Sequence, residues 1–237
     1  MTEVLLSAEK ISVRLGGAAV LREVSIEVRA GEVLGVFGPS GAGKSTLFRA
    51  LAGEERAASG VVRIGGVDVT RLPLWRRARL GLGYLPQTPS VLWDLTVAEN
   101  LEVFRALARG GSGEEASALA ARIGLAERLD VRASSLSGGE RRRLELGRAL
   151  AGAPRVLLCD EPFAAIDPLG TARVGEQLRA LAAAGGAVIV ADHHVAEALR
   201  LCHRAALLLE GEVAVIAAPE VFQGDPLVRK HYASFPA

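Results

Sequence analysis

Along the first third of the chain, apolar and polar positions exchange places in short runs. "VLLSAEKISV" (4–13), "VLREVSIEV" (20–28) and "EVLGVFG" (32–38) are separated by Gly16-Gly17 and Ala30-Gly31, the pattern of strands divided by turn residues. "GVVRIGGVDVT" (60–70) adds a hairpin with Gly65-Gly66 at its turn. From about Pro89 the spacing becomes helical, in "VAENLEVFRALA" and "EEASALAARIGL", with "GGSG" at 110–113 as a flexible joint between them. Leu144, Gly147 and Ala151 then share one helical face, with Leu146 and Leu150 beside it, so a helix runs from about Gly139. After it come "RVLLCDE", "AVIVADH" and "RAALLLE", apolar β-rich runs with helical stretches between them. Such runs belong in a parallel sheet covered on both faces. The pattern predicts an α/β chain with a helical insert and no internal repeat.

Composition narrows the function classes. A net charge of +1 on 237 residues, with both signs mixed along the chain, gives no bulk electrostatic case for nucleic-acid binding. No run approaches the roughly 18 to 20 consecutive apolar residues of a membrane-spanning helix. The N-terminus, "MTEVLLSAEKISVRL", lacks the basic start, apolar core and small-residue cleavage site of a signal peptide, so a cytosolic location is expected. Cys159 and Cys202 have no metal-type spacing and read as reduced, buried packing residues, Cys202 within an Ala/Leu-rich helical stretch. Basic positions are almost all arginine, leaving Lys10, Lys44 and Lys230 as the lysines. That makes the setting of Lys44 informative.

Lys44 lies in Gly38-Pro39-Ser40-Gly41-Ala42-Gly43-Lys44-Ser45-Thr46, which fits G-x-x-x-x-G-K-[ST] between a strand ending at Phe37 and a helix opening near Lys44. The glycines let successive backbone N–H groups cradle phosphates, Lys44 supplies a charge to the β and γ groups, and Ser45 offers an oxygen to Mg²⁺. "VLLCDE" is a buried strand ending in two acids. Ligands of open α/β sheets collect at the carboxyl ends of strands, so Asp160 is read as holding the metal, directly or through water. Glu161 is read as taking the proton from the attacking water. His193, after the strand "AVIV", can reach a γ-phosphate, whereas His194 reads as a satisfied polar residue. Gln87 in "GYLPQ" carries an amide able to contact Mg²⁺ or its water. In "LSGGERRRLELGRAL" (136–150), two readings of the helix start stand together. Ser137 to Glu140 fits a capping box; Ser137, Gly138 and Gly139 also present bare N–H groups suited to an anion. A chain that already owns a complete phosphate loop has no need of a second anion site, except in a two-fold pair where each copy closes over the phosphate held by the other.

The order of these pieces resembles the ATP-binding cassette ATPases. "GPSGAGKS", "LPQ", "LSGGE", "VLLCDE", "AIDP" and "DH" occur in family order over nearly the whole chain, and "LSGGE" separates this family from other phosphate-loop enzymes. The resemblance implies a P-loop NTPase (RecA-like) core with an antiparallel β subdomain and an inserted α-helical subdomain. Residues 1–87 and 151–237 would form the core and about 88–150 the helical part of a single domain. It implies ATP and Mg²⁺ as ligands and Glu161 as catalytic base. His193 would be the γ-phosphate switch, Gln87 the link between metal and transport partner, and Asp167 a contact between two cassettes in a homodimer. One position departs from the family: where an aromatic ring usually stacks on adenine, this chain has Leu15.

Within the family, "RARLGLGYLPQ", "LTVAENL", "DEPFAAIDP" and the tail "VRKHYASF" resemble the cytoplasmic ATPases of lipopolysaccharide exporters. Branched-chain amino-acid importer ATPases and soluble cassettes of iron–sulfur cluster assembly are the alternatives. A transporter cassette must receive a helix of its membrane subunit near the Q-loop. Leu92 and Trp93 in "PSVLWDLT" supply apolar side chains there, with burial of Trp93 in the core as the other reading. Attachment to the inner face of the membrane would come only through such subunits.

Overall fold

A computed structural model describes residues 2–107 and 114–232. The glycine-rich joint at 110–113 and the end of the C-terminal stretch, 233–237, lie outside the described residues. The chain begins with strands β1 (Val4–Leu15), β2 (Ala18–Arg29) and β3 (Val33–Phe37), then helix α1 (Lys44–Ala52). Next come β4 (Ser59–Ile64), β5 (Val67–Asp68), α2 (Leu74–Arg79) and β6 (Leu82–Leu85). Three helices follow: α3 (Val97–Ala106), α4 (Ala116–Arg122) and α5 (Gly138–Ala151). The chain returns through β7 (Val156–Asp160), α6 (Pro168–Ala183), β8 (Ala187–Ala191), α7 (Val195–Leu199), β9 (Arg204–Leu209) and β10 (Glu212–Ala217). It closes on α8 (Pro219–Gly224) and α9 (Pro226–His231).

Two sheets result. One is antiparallel, in the order β2-β1-β4-β5, and its β4–β5 turn is Gly65-Gly66 with both residues at positive φ, as a tight hairpin of matching twist requires. The other runs β10-β9-β3-β8-β7-β6, parallel except for β10 at its edge. Every residue of β3, β7 and β8 is buried, which is why these strands read as continuous apolar runs. Their alternate side chains serve two different cores. Leu34, Val36, Leu158 and Ile189 join α1 and the antiparallel sheet in one cluster. Val33, Phe37, Leu157, Cys159 and Val190 join α6 and the C-terminal helices in another. A third cluster, drawn from Val91 to Ala151, packs α3, α4 and α5.

The strand order decides what meets at the carboxyl edge. β3 delivers Gly38, its neighbour β8 delivers Asp192 and His193, β7 delivers Asp160 and Glu161, and β6 delivers Gln87. Both cysteines are free; Cys159 is buried, but Cys202 is only partly so. Cys202 also lies beyond the end of α7, correcting its placement within a helical stretch. Its thiol donates to the Ala198 carbonyl at 3.1 Å, closing the turn that ends the helix. No helix among the described residues is long and apolar enough to cross a membrane.

The far end of α1 is held by a buried arginine. Arg77, 2% exposed, donates to the carbonyls of Ala50 and Leu51 at 2.8 and 2.7 Å, and to those of Leu72 and Thr70 at 2.8 and 3.0 Å. The last carbonyls of a helix lack partners and carry its negative pole, so a guanidinium there satisfies both needs. Burial lowers its pKa to about 10, which still leaves it charged at neutral pH. Arg77→Met keeps the bulk and strands these carbonyls. It should lower unfolding free energy by about 3 to 5 kcal/mol. Urea denaturation checks this, and a loss under about 1 kcal/mol would mean that solvent replaces the guanidinium.

Candidate nucleotide-binding and catalytic site

The loop from Gly38 to Gly43 joins β3 to α1 by a path that only glycine follows easily. Gly43 precedes the helix at φ 104°, and a Cβ there would fall 2.9 Å from a methyl of Leu21. Pro39, Ser40 and Gly41 are exposed, while Ala42 and Thr46 are buried against the core. The first turn of α1 has no side-chain cap, so its N–H groups face the loop without a side-chain acceptor, the setting in which helix starts take anions. Lys44 reaches back across the loop, its Nζ donating to the carbonyls of Gly38 at 2.6 Å and Pro39 at 3.0 Å. Burial lowers the Lys44 pKa, while Asp160 and Glu161 favour its charge.

Three oxygen-bearing side chains surround the start of α1. The Ser45 hydroxyl lies 3.5 Å from Gln87 Oε1 and hydrogen-bonds Asp160. Asp160 is 2% exposed; burial raises its pKa, against the Ser45 hydrogen bond and the charges of Arg142 and Lys44. A hydroxyl, an amide oxygen and a carboxylate are the hard donors that suit Mg²⁺.

Glu161 receives the other side of this cluster. Gln87 Nε2 donates to its Oε1 at 2.7 Å, and His193 Nε2 lies 2.8 Å from the same oxygen. The residue stands at φ 58°, a left-handed conformation that costs a non-glycine residue about 1 kcal/mol or more. Its backbone is held on both sides: its N–H donates to the Ala191 carbonyl at 2.7 Å, and its carbonyl accepts from Arg142 Nε and Nη2 at 3.2 and 3.0 Å. Asp192, 3% exposed, fixes the turn beyond β8 by accepting from the N–H groups of Phe163 and His194 at 2.9 and 2.8 Å. The His194 ring pairs with Asp192 at 2.9 Å, and His193 is left to face Glu161.

Arg142 and Asp192 were not legible as site residues. The run "RRR" after Gly-Gly marked a basic helix start, but not which arginine turned inward. Arg142 does so: it donates to the carbonyls of Pro86, Asp160 and Glu161 and to Glu145 Oε2 at 2.8 Å. Glu145 Oε1 in turn accepts from the Ser90 N–H at 2.8 Å. One guanidinium therefore ties α5 to the ends of β6 and β7.

The start of α5 forms its capping box in full, the Ser137 hydroxyl accepting from Glu140 N–H and Glu140 accepting from Ser137 N–H. The box does not account for the glycines. Neither has a positive φ. A Cβ on Gly138 would meet the Ala165 Cβ at an ordinary 3.6 Å, whereas one on Gly139 would press to 3.1 Å from the Ala165 carbonyl. Gly138 is exposed and has room for a side chain it does not carry. Asp167 caps α6, accepting from Gly170 N–H at 2.6 Å. Leu15 is half-buried at the end of β1 and packs on the first core cluster. Leu92 and Trp93 are 36% and 45% exposed, Trp93 with the Arg141 guanidinium 5.5 Å from its ring, so Trp93 is a surface residue.

Known proteins resemble this chain along nearly its whole length. A profile of the ABC transporter family matches residues 21–164. The chain is 42% identical over 231 residues, 96% of each chain, to the lipopolysaccharide export system ATP-binding protein LptB of Acidithiobacillus ferridurans. An ATP-binding cassette of an ABC transporter solved in its ADP conformation superposes with a TM-score of 0.85 at 26% identity, covering 98% of this chain and 100% of that one. A dimeric cassette in a post-hydrolysis state with ADP and phosphate superposes at 0.81 with 25% identity, covering 91% and 99%. With a phosphate loop, paired acids and a signature helix on one sheet edge, and with these likenesses along nearly its full length, the chain belongs to the ABC transporter family as an ATP-hydrolysing cassette.

Proposed function

We propose that this cassette powers lipopolysaccharide export, binding ATP at Gly38–Thr46 and hydrolysing it as one half of a homodimer. The observation that carries the hydrolytic assignment is the convergence of Gln87 and His193 on one carboxylate oxygen of Glu161. Lys44 exchanges its loop carbonyls for the β- and γ-phosphates, and the N–H groups of the loop and of the α1 start take the remaining phosphate oxygens. Ser45, Gln87 and Asp160 would hold Mg²⁺, directly or through water, and the ion would there neutralise phosphate charge. Glu161 accepts the proton of the attacking water, and His193 steadies the carboxylate and the γ-phosphate side. The bare, exposed Gly138 supports the paired arrangement: nothing in its own chain requires a glycine there, whereas a phosphate presented by a second copy does. Asp167, at the start of α6, faces the same partner in this reading. The cargo reading is supported by near full-length likeness to lipopolysaccharide export ATP-binding proteins. Leu92 and Trp93 receive the membrane subunits, and Arg142 and Glu145 link that surface to Glu161.

Four outcomes test this. Glu161→Gln should slow hydrolysis by about 10² to 10⁴ and let an ATP-bound dimer accumulate in size-exclusion chromatography with light scattering. Adding Gly138→Asp places a carboxylate against the partner's phosphate and should return that dimer to monomers that still bind ATP; an undiminished dimer would reduce "LSGGE" to a helix cap. Leu92→Ser with Trp93→Ser should leave hydrolysis by the isolated subunit near wild type and weaken co-purification with membrane subunits, whereas undiminished co-purification would overturn this docking surface. Depletion of the protein from its host should strand newly made lipopolysaccharide in the inner membrane on density-gradient separation; normal delivery would overturn the cargo while leaving the ATPase intact.

A further inference from the structure

We propose that Tyr232, at the end of the C-terminal helices, is a positioning residue for the phosphate loop, its phenol oxygen holding the first loop peptide from which Lys44 is aimed. The inference rests on the nucleotide reading of Gly38–Thr46 and adds to it an element that no loop motif contains.

Gly38 is gripped from two sides. Its N–H donates to Tyr232 Oη at 2.6 Å, across 194 residues of sequence, and its carbonyl accepts from Lys44 Nζ at 2.6 Å. It cannot be held by a side chain of its own, because a Cβ would fall 2.2 Å from the Leu208 carbonyl oxygen. The position of the loop where it leaves β3 therefore depends on contacts to its backbone, and the phenol is one of them. A loop N–H directed to Tyr232 is also one not directed at a phosphate, so this contact divides the loop into a part that is anchored and a part that binds.

The phenol is delivered by an element built to stay in place. Phe222 of α8 is fully buried, and its ring lies 5.7 Å from that of Phe37, the residue just before Gly38. Val228 of α9 is likewise fully buried. Asp225 caps α9 by accepting from the N–H groups of Leu227 and Val228 at 2.8 and 3.4 Å. The C-terminal helices thus touch both the last strand residue and the first loop residue. The Tyr232 ring packs on the second core cluster, and burial pushes its pKa up, so it stays a neutral phenol at the pH of the cell. Tyr232 also lines, with His193, His194 and Gln223, the cleft between α7 and these helices. The same element borders both the loop and the switch histidine.

Tyr232→Phe keeps the ring and removes the acceptor, and Leu119→Ala weakens the separate third cluster while leaving the C-terminal helices and the phenol untouched. Steady-state ATPase kinetics, calorimetric ATP binding and thermal melting are measured on both variants, on wild type and on Lys44→Ala. A neutral hydrogen bond of ordinary strength predicts that Tyr232→Phe raises the KM and Kd for ATP about five- to tenfold with little change in kcat. Leu119→Ala should lower the melting temperature and leave KM near wild type. Unchanged KM and Kd in Tyr232→Phe would overturn the proposal. So would an equal rise in Leu119→Ala, or a fall in melting temperature beyond about ten degrees in Tyr232→Phe, because either would make the effect one of general stability. Wild-type ATP affinity in Lys44→Ala would instead remove the nucleotide reading itself, whatever Tyr232 does.

Discussion

The guanidinium of Arg142 is the constraint on which the site geometry depends. A buried charge must be paired and its donors used, and this one is satisfied by Glu145 and by three carbonyls belonging to Pro86, Asp160 and Glu161. Those carbonyls lie at the ends of two different strands, on the residues Asp160 and Glu161 and on Pro86 beside Gln87. Because the arginine belongs to α5, the helical cluster cannot rotate against the sheet without breaking a buried ionic hydrogen bond or carrying Glu161 with it. The left-handed backbone at Glu161 becomes intelligible in this light. An unfavourable φ persists where surrounding contacts over-determine it, and here its N–H and carbonyl are both committed.

Around this anchor the charges are arranged as a mutual balance. Lys44, Asp160 and Glu161 lie close enough that the acids favour the charged lysine and the lysine favours the charged Asp160, while burial disfavours both charges. In the proposed function, a phosphate entering this setting displaces the loop carbonyls from Lys44 and gives the lysine a full negative partner. Such a site favours a polyanion by exchange, with no charge left bare before or after. Gln87 bridges Ser45 and Glu161 and so joins the start of α1 to the end of β7.

Two arginines with similar sequence surroundings do different work. Arg77 holds the C-terminal end of α1, whereas Arg142 holds the ends of β6 and β7 and shapes the carboxyl edge of the sheet. The difference lies in which carbonyls surround each guanidinium. In the proposed dimer the same logic continues across the interface: the capping box satisfies Ser137 and Glu140 within the chain, and the bare backbone beyond it is left for a group the chain does not possess.

Local patterns in the sequence determined much of this protein. The phosphate loop requires glycines and one lysine at fixed spacing, so Gly38 to Thr46 was legible at sight. The buried strands announced themselves as apolar runs, and Asp160, Glu161, His193 and Gln87 could be placed because each follows such a run directly. The sequence also carried both readings of Ser137 to Gly139, of which the capping box is formed and the anion site remains a matter for the paired molecule. Tertiary structure alone decided the rest. Nothing local distinguishes Arg142 from Arg141 or Arg143; its role exists only because α5 crosses the ends of β6 and β7. Trp93 was as consistent with core as with surface until the third cluster closed without it. Tyr232 meets Gly38 across nearly the whole chain, through a C-terminal pair of helices whose apolar residues find Phe37. Contacts of that range depend on where the sheet brings distant peptides together, and a pattern of neighbours in sequence holds no record of it.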